Sequence, residues 1–160
     1  ALYQPRLLLE IGSNCGFSAV CLAEEMTAQS RLITVEINVE NAAIAKSVVA
    51  VYAHGKNVEV VNANACKLLD SFTESFDLIF VDADKQNYQV YLDFAAANLP
   101  QGGVLLLDNL LWKGRVAEEL PGETSSTTFL RNFNLAFIKD SRFISSILPI
   151  GDGLGLAIKR

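Results

Sequence analysis

Residues 143–159 read FISSILPIGDGLGLAIK, two apolar runs parted by Pro149-Ile150-Gly151-Asp152-Gly153. Phe143–Leu148 and Leu154–Lys159 are each of strand length, and a five-residue connection rich in proline and glycine leaves no room for a helix. The stretch predicts an antiparallel hairpin. Upstream the pattern differs. Apolar runs at Leu7–Ile11 (LLLEI), Arg31–Glu36 (RLITVE), Val58–Val61, Phe76–Val81 (FDLIFV) and Gly103–Leu107 (GVLLL) alternate with helical patterns at Phe17–Met26, Glu40–Ala53, Cys66–Leu69 and Asn87–Asn98. Short β-branched and aliphatic runs separated by helices predict parallel βαβ units covered on both faces. A last helix, Thr124–Lys139, places Phe129, Phe133 and Phe137 on one face at i, i+4 spacing, as core. The expected fold class is α/β: a doubly wound, mostly parallel seven-stranded sheet that ends in an antiparallel hairpin. That ending departs from a plain dinucleotide-binding fold.

Composition narrows the function. The 160 residues are 51% hydrophobic and 19% charged, which predicts one domain over 1–160 with a sizeable core. Thirteen basic against eighteen acidic residues give a net charge of −5 without a basic cluster, so the chain lacks the footprint of a nucleic-acid binder. No apolar run reaches the roughly 18–20 residues of a membrane span, and Ala1–Arg6 lacks the layout of a secretory signal. A cytoplasmic location is expected. Cys15, Cys21 and Cys66 share no metal-type spacing and read as reduced thiols packed as small hydrophobes. The single histidine, His54, precedes Gly55 where a helix should end, which suits capping better than catalysis.

In doubly wound sheets, ligands bind beyond the carboxyl ends of the strands. After the first strand comes Gly12-Ser13-Asn14-Cys15-Gly16, a G-x-x-x-G turn that opens a helix but does not match a pyrophosphate cradle. The second strand ends in Glu36, twenty residues after Gly16, and its carboxylate reads either as an acceptor for both hydroxyls of a ribose or as a solvated strand-end charge. The fourth ends in Asp82-Ala83-Asp84-Lys85 and the fifth in Asp108-Asn109. Oxygen donors crowded at two neighbouring tips suit a hard divalent cation, Mg²⁺ foremost, with Mn²⁺ or Ca²⁺ also accommodated. The competing structural account is that Asp84 caps the next helix and Asp108-Asn109 makes a turn. Lys85, beside such a site and partly desolvated, suits a general base, or else a solvated lysine. Trp112, in the loop after the fifth strand, offers a flat aromatic surface to a substrate or tacks the loop down.

LLLEIGSNCGFSA, FDLIFVDADKQNYQVY, GGVLLLDNLLWKGRV and LPIGDGLGLAIK together resemble the S-adenosylmethionine-dependent, metal-dependent O-methyltransferases of the caffeoyl-CoA and catechol type, over about Leu7 to Lys159. The resemblance implies a Rossmann-like class I methyltransferase sheet, with S-adenosylmethionine and a divalent cation as cofactors. It implies that Glu10, Gly12, Ser13 and Ser18 surround the methionine part of the cofactor and that Gly16 also binds the cofactor. Glu36 takes the ribose, the Ala65 backbone meets the adenine, and Asp84 and Tyr91 also face the cofactor. Asp82, Asp108 and Asn109 become metal ligands, Asp82 also facing the substrate. Lys85 becomes the base, and Trp112 and Lys113 the substrate-facing loop. The implied partner is a small vicinal dihydroxy aromatic, and a homodimer is the implied assembly. Asn14 and Cys15 stand where such proteins often carry an aromatic and a threonine, and Ala63 where a glycine is common. Only Ala1–Arg6 precede the first strand, where relatives usually carry helices, so a fragment is expected. A metal-independent methyltransferase, an NAD-dependent oxidoreductase with a tighter glycine loop, and a cofactor-binding but inactive module remain the alternatives.

Overall fold

The computed structural model describes residues 3–119 and 121–160; Ala1 and Leu2 of the lead-in segment, and Leu120, lie outside the described residues. The elements in chain order are β1 (Leu7–Ile11), α1 (Phe17–Glu24), β2 (Arg31–Glu36), α2 (Val39–Tyr52), β3 (Asn57–Asn62), α3 (Ala65–Leu68), β4 (Leu78–Val81), α4 (Tyr88–Asn98), β5 (Val104–Leu107), α5 (Ser125–Lys139), β6 (Phe143–Leu148) and β7 (Leu154–Lys159). The strands form one seven-stranded sheet in the order β3-β2-β1-β4-β5-β7-β6, with β3 and β6 at its two edges. The doubly wound sheet with a terminal antiparallel hairpin is therefore as the sequence predicts. The chain divides into two compact units, Ala1–Phe80 and Val81–Arg160.

In the first unit β1, β2 and β3 run parallel, Ile11 opposite Val35 and Glu36 opposite Asn62. The register leaves Glu36 at the carboxyl tip of its strand, level with the turn that follows β1. Leu8, Leu32, Ala19, Ala23, Met26, Val49 and Ala53 form the core on one face, and the alanines let the helix backbones approach the sheet. Gly16 makes the closest approach: a Cβ there would stand 3.0 Å from Ala45 Cα, and its φ of 91° is a left-handed value that other residues resist. Asn38 caps α2 by accepting from the backbone N–H groups of Glu40 and Asn41.

In the second unit β7 lies antiparallel to both β5 and β6, with Leu107 opposite Gly155 and Phe143 opposite Lys159. Leu105, Leu107, Ala157 and Phe143 are buried, as are Leu130, Phe133 and Phe137 of α5. The three α5 phenylalanines stack at 6.2 and 5.9 Å between centroids; Phe129, at the outer end of the stack, is only half-buried.

Several local expectations need correction. Helix α1 stops at Glu24, so Met26 enters the core from the following turn. Strand β4 begins at Leu78, not Phe76; the Phe76 ring is buried edge-on to Phe72, 5.2 Å between centroids. The thiols are free as expected, but Cys15 and Cys21 are exposed and Cys66 half-buried. Cys15 sits at the tip of the turn before α1 and Cys21 on the outer flank of that helix, so neither packs as core. Gly55, with φ of 80°, turns the chain out of α2, while the Ala53 carbonyl accepts from Lys56 N–H and His54 is exposed.

Candidate active site

In the first unit the turn after β1 is built by left-handed residues: Gly12 (φ 97°), Asn14 (45°) and Gly16 (91°). Gly12 and Ser13 donate to the Val35 carbonyl at 2.9 and 3.3 Å, and Gly16 donates to the Ser13 carbonyl at 2.7 Å. This folds the turn against the end of β2, where Glu36 stands only 7% exposed. Its Oε2 accepts from Asn14 N–H and its Oε1 from Asn38 N–H, both at 2.8 Å. The carboxylate is thus fixed by the turns on both sides, and each oxygen keeps lone-pair capacity for a further donor. That is more structure than a solvated strand-end charge would have. Glu10 is fully buried and accepts from the Thr34 hydroxyl. Ser13 is 2% exposed, and its Oγ has no partner among the described residues. A buried hydroxyl left unsatisfied keeps its capacity for a hydrogen bond with a further polar group. Ser18 is half-buried in the first turn of α1, and Ala65 half-buried at the start of α3.

In the second unit Asp84 precedes a short 3₁₀ turn, Lys85–Asn87, that leads into α4. Its side chain does not cap the backbone; it accepts from Asn87 Nδ2 at 2.6 Å and from the Tyr91 hydroxyl at 3.1 Å. The 3₁₀ turn swings Lys85 back over the strand ends. Its Nζ donates to Asn109 Oδ1 (3.0 Å), Asp82 Oδ1 (3.3 Å), the Asp108 carbonyl (3.3 Å) and the Tyr88 hydroxyl (2.5 Å). Asp108 also makes the expected turn, its Oδ1 accepting from Asn109 N–H at 2.6 Å, with Asn109 left-handed at φ 58°. Asp82, Lys85, Asp108 and Asn109 are therefore gathered at one point, and that point already carries a positive charge. Lys85 is thus the counterion of the Asp82 carboxylate, while the Asp108 carboxylate is held by the Asn109 N–H. Among the described residues no group of three or more His, Cys, Asp and Glu side chains is placed to hold a metal; the donor set here is two aspartates and an amide. Asp82 Oδ1, Asn109 Oδ1 and the Asp108 backbone carbonyl converge on one cation, and oxygen donors alone are the chemistry that fits a hard divalent ion.

Burial holds the Lys85 pKa below the usual lysine value, against the upward pull of Asp82, Asp108 and Asp152. Tyr88, by its spacing only one more residue of a helix, is fully buried and donates to the Asp108 carbonyl at 2.8 Å. Burial, then the Asp82, Asp108 and Asp84 carboxylates, push its pKa well up, so it stays a neutral phenol that accepts from Lys85. The spacing signal was there, Tyr88 lying three residues past Lys85, but an aromatic in a helix reads first as core. Beyond β5, Asn109, Trp112, Lys113, Arg115 and Asp152 line a cavity of about 250 Å³. Trp112 is half-buried, and its Nε1 is a buried donor with no partner among the described residues. Lys113 is exposed; what the structure ties down is its backbone, whose N–H donates to Asp152 Oδ1 at 2.5 Å.

A sequence profile of the O-methyltransferase family matches residues 2–160. The chain belongs to this family. Among curated O-methyltransferase relatives, it is 29% identical over 163 residues to the catechol O-methyltransferase domain-containing protein 1 of Mus musculus, covering 99% of this chain and 62% of that one. It is 30% identical over 161 residues to the caffeoyl-CoA O-methyltransferase of Petroselinum crispum, covering 92% of this chain and 66% of that one. The chain thus spans about two thirds of the length of these relatives. Among solved structures, an O-methyltransferase from Bacillus cereus in complex with SAH superposes with a TM-score of 0.87 at 28% identity, covering 98% of this chain and 74% of that one. TomG from Streptomyces achromogenes, an O-methyltransferase in complex with SAM, gives 0.87 at 28% identity over 99% of this chain and 74% of that one. Among the described residues no helix is long and apolar enough to cross a membrane.

Proposed function

We propose that this O-methyltransferase family member moves the methyl group of S-adenosylmethionine to one hydroxyl of a vicinal dihydroxy aromatic. The observation that carries the reading is the convergence of Asp82, Asn109 and Asp108 oxygens on Lys85 Nζ at the strand ends. The bound sulfonium supplies an electrophilic methyl, and a divalent cation supplies charge that acidifies the hydroxyl to be methylated. Glu36 binds the ribose hydroxyls with the free lone pairs of its anchored carboxylate, and Ser13 Oγ answers a polar group of the methionine part. Asp84 and Tyr91, joined to each other, face the cofactor. Asp82, Asp108 and Asn109 would hold the cation, with Mg²⁺ the best match to oxygen donors. Lys85, its pKa lowered by burial, would take the hydroxyl proton as the oxygen bonds to the methyl carbon and the carbon–sulfur bond breaks, leaving S-adenosylhomocysteine; Tyr88 and Asn109 keep the amine aimed. Trp112 and Lys113 face the acceptor. Most of the acceleration comes from holding nucleophile and methyl in contact.

One observation favours a second reading, a metal-independent methyltransferase: Lys85 already pairs with the Asp82 carboxylate and occupies the point where the Asn109 and Asp108 carbonyl oxygens meet. An assay of a catechol with labelled cofactor, with and without EDTA, separates the two. Loss of turnover on chelation, restored by Mg²⁺, is the result expected; full turnover after complete metal removal leaves the second reading standing.

A further inference from the structure

The loop that follows β5 is an unusually strained piece of chain. Asn109, Trp112 and Lys113 all have left-handed φ values, 58°, 50° and 57°, and none is glycine. Left-handed backbone at non-glycine residues persists only where surrounding contacts enforce it. Two sets of contacts do so. On one side stands the turn between β6 and β7. Asp152 Oδ1 accepts from Lys113 N–H at 2.5 Å, the Asp152 carbonyl from Leu111 N–H at 2.8 Å, and the Gly153 carbonyl from Leu110 N–H at 2.9 Å. The fit is tight, since a Cβ on Gly153 would come within 2.4 Å of Leu111 Cγ. On the other side stands α5. Asn134 Nδ2 donates to the Leu110 carbonyl at 2.7 Å. Arg131 donates to the carbonyls of Val116 (3.1 Å), Arg115 (3.2 Å) and Glu118 (2.5 Å), and holds Glu123 through both carboxylate oxygens at 2.7 and 2.6 Å. A planar guanidinium with five donors is suited to gather three carbonyls and a carboxylate at once. Both side chains of that pair are largely buried, 14% and 19% exposed.

We propose that Asp152 and Arg131 are positioning residues that latch residues 110–118 of this loop, Asp152 at the near end and Arg131 at the far end, so that Trp112 and Lys113 are set for the acceptor before it arrives. The functional half of this statement rests on the acceptor-facing reading of the loop given above; the latches themselves do not. Neither residue touches the reacting atoms. Asp152 acts through the Lys113 backbone, and Arg131 through the carbonyls of residues 115, 116 and 118.

Trp112 is the only tryptophan, so its fluorescence reports on this loop alone. The test compares wild type with Asp152→Ala, Asp152→Asn and Arg131→Gln, each checked for a cooperative melt. Acrylamide quenching of Trp112 and trypsin cleavage after Lys113 and Arg115 read the loop without any assay of activity. Initial rates with a catechol separate acceptor KM from kcat. Losing one or two backbone-anchoring hydrogen bonds predicts quenching and cleavage raised about threefold to tenfold in Asp152→Ala and Arg131→Gln. Acceptor KM rises in step while cofactor affinity holds; kcat holds in Arg131→Gln, whose charge is not among those acting on Lys85. Asp152→Asn, whose amide oxygen still accepts from Lys113 N–H, stays near wild type. Unchanged quenching and cleavage in Asp152→Ala and Arg131→Gln overturns the proposal, and so does Asp152→Asn loosening the loop as much as Asp152→Ala. Should Asp152→Ala not fold, Arg131→Gln and Asp152→Asn carry the test. A loosened loop in variants of a chain that methylates no catechol upholds the latches and overturns the acceptor reading.

Discussion

Lys85 is held between opposing influences. Burial favours its neutral amine, while Asp82, Asp108 and Asp152 favour the ammonium, and the balance leaves its pKa below the usual lysine value. A base in this position needs to shed its proton near neutral pH and to be aimed when it does. Tyr88 and Asn109 supply the aim. Replacing Lys85 with alanine is expected to lower turnover by about 10²–10⁴-fold, the usual contribution of a general base, with cofactor affinity unchanged in a titration with SAH. A fully active variant would make Lys85 a counterion only. The sequence pointed to Lys85, Asp82, Asp108 and Asn109 because polar residues at strand tips stand out against apolar strands. It did not point to Tyr88, Arg131 or Asp152. A buried tyrosine looks like core, a helical arginine looks solvated, and an aspartate between glycines looks like turn. What distinguishes each is a partner more than ten residues away in the chain, which no local pattern contains.

The connection from α5 into β6 is fastened by charge. Arg142 donates to both oxygens of Asp140 and, at 2.7 Å, to Asp93 of α4. The hydrogen bonds from Arg142 hold the Asp140 carboxyl below the usual range, and those two carboxylates raise the Arg142 pKa. A depressed carboxyl pKa adds stability that is complete above the unfolded-state value near 3.8 and lost as pH falls through the folded value. Unfolding midpoints measured between pH 6 and pH 2 should therefore fall more steeply for wild type than for Asp140→Asn. In the first unit the critical element is the junction before α1. Gly16→Ala forces a left-handed alanine and a Cβ at 3.0 Å from Ala45 Cα, so a cost of about 1–3 kcal/mol is expected in denaturant melts. At this scale the order of strands and helices was legible from periodicity, and the ends were not. The 3₁₀ turn Lys85–Asn87 and the early stop of α1 depend on tertiary packing rather than on the residues' own preferences.

For the whole chain, the hairpin FISSILPIGDGLGLAIK by itself separates this sheet from a plain dinucleotide-binding one, and the sheet order bears that out. Exposure of the cysteines was not legible, because three small residues on α1, its preceding turn and α3 carry no pattern that says which way they face. Ligand binding stabilises a fold by mass action, about 2.7 kcal/mol at a hundred times the dissociation constant. For a chain of 160 residues this corresponds to a rise of roughly 5–10 °C in Tm. Such a rise is expected with SAH and not with NAD at equal concentration, in a thermal melt followed by circular dichroism. Equal or greater protection by NAD would return the oxidoreductase alternative to the front.

The two ends of the sheet are guarded unequally. On β3, Glu59 is held by Arg31 and the strand begins and ends in asparagine, so its outer rim is hydrated and charged. On β6 the corresponding rim carries Ile144, 59% exposed, with only Ser145 and Ser146 to interrupt the apolar run. Lateral recruitment of another chain by backbone pairing would start from β6, which makes the hairpin that completes this fold also its most vulnerable border during refolding at high concentration.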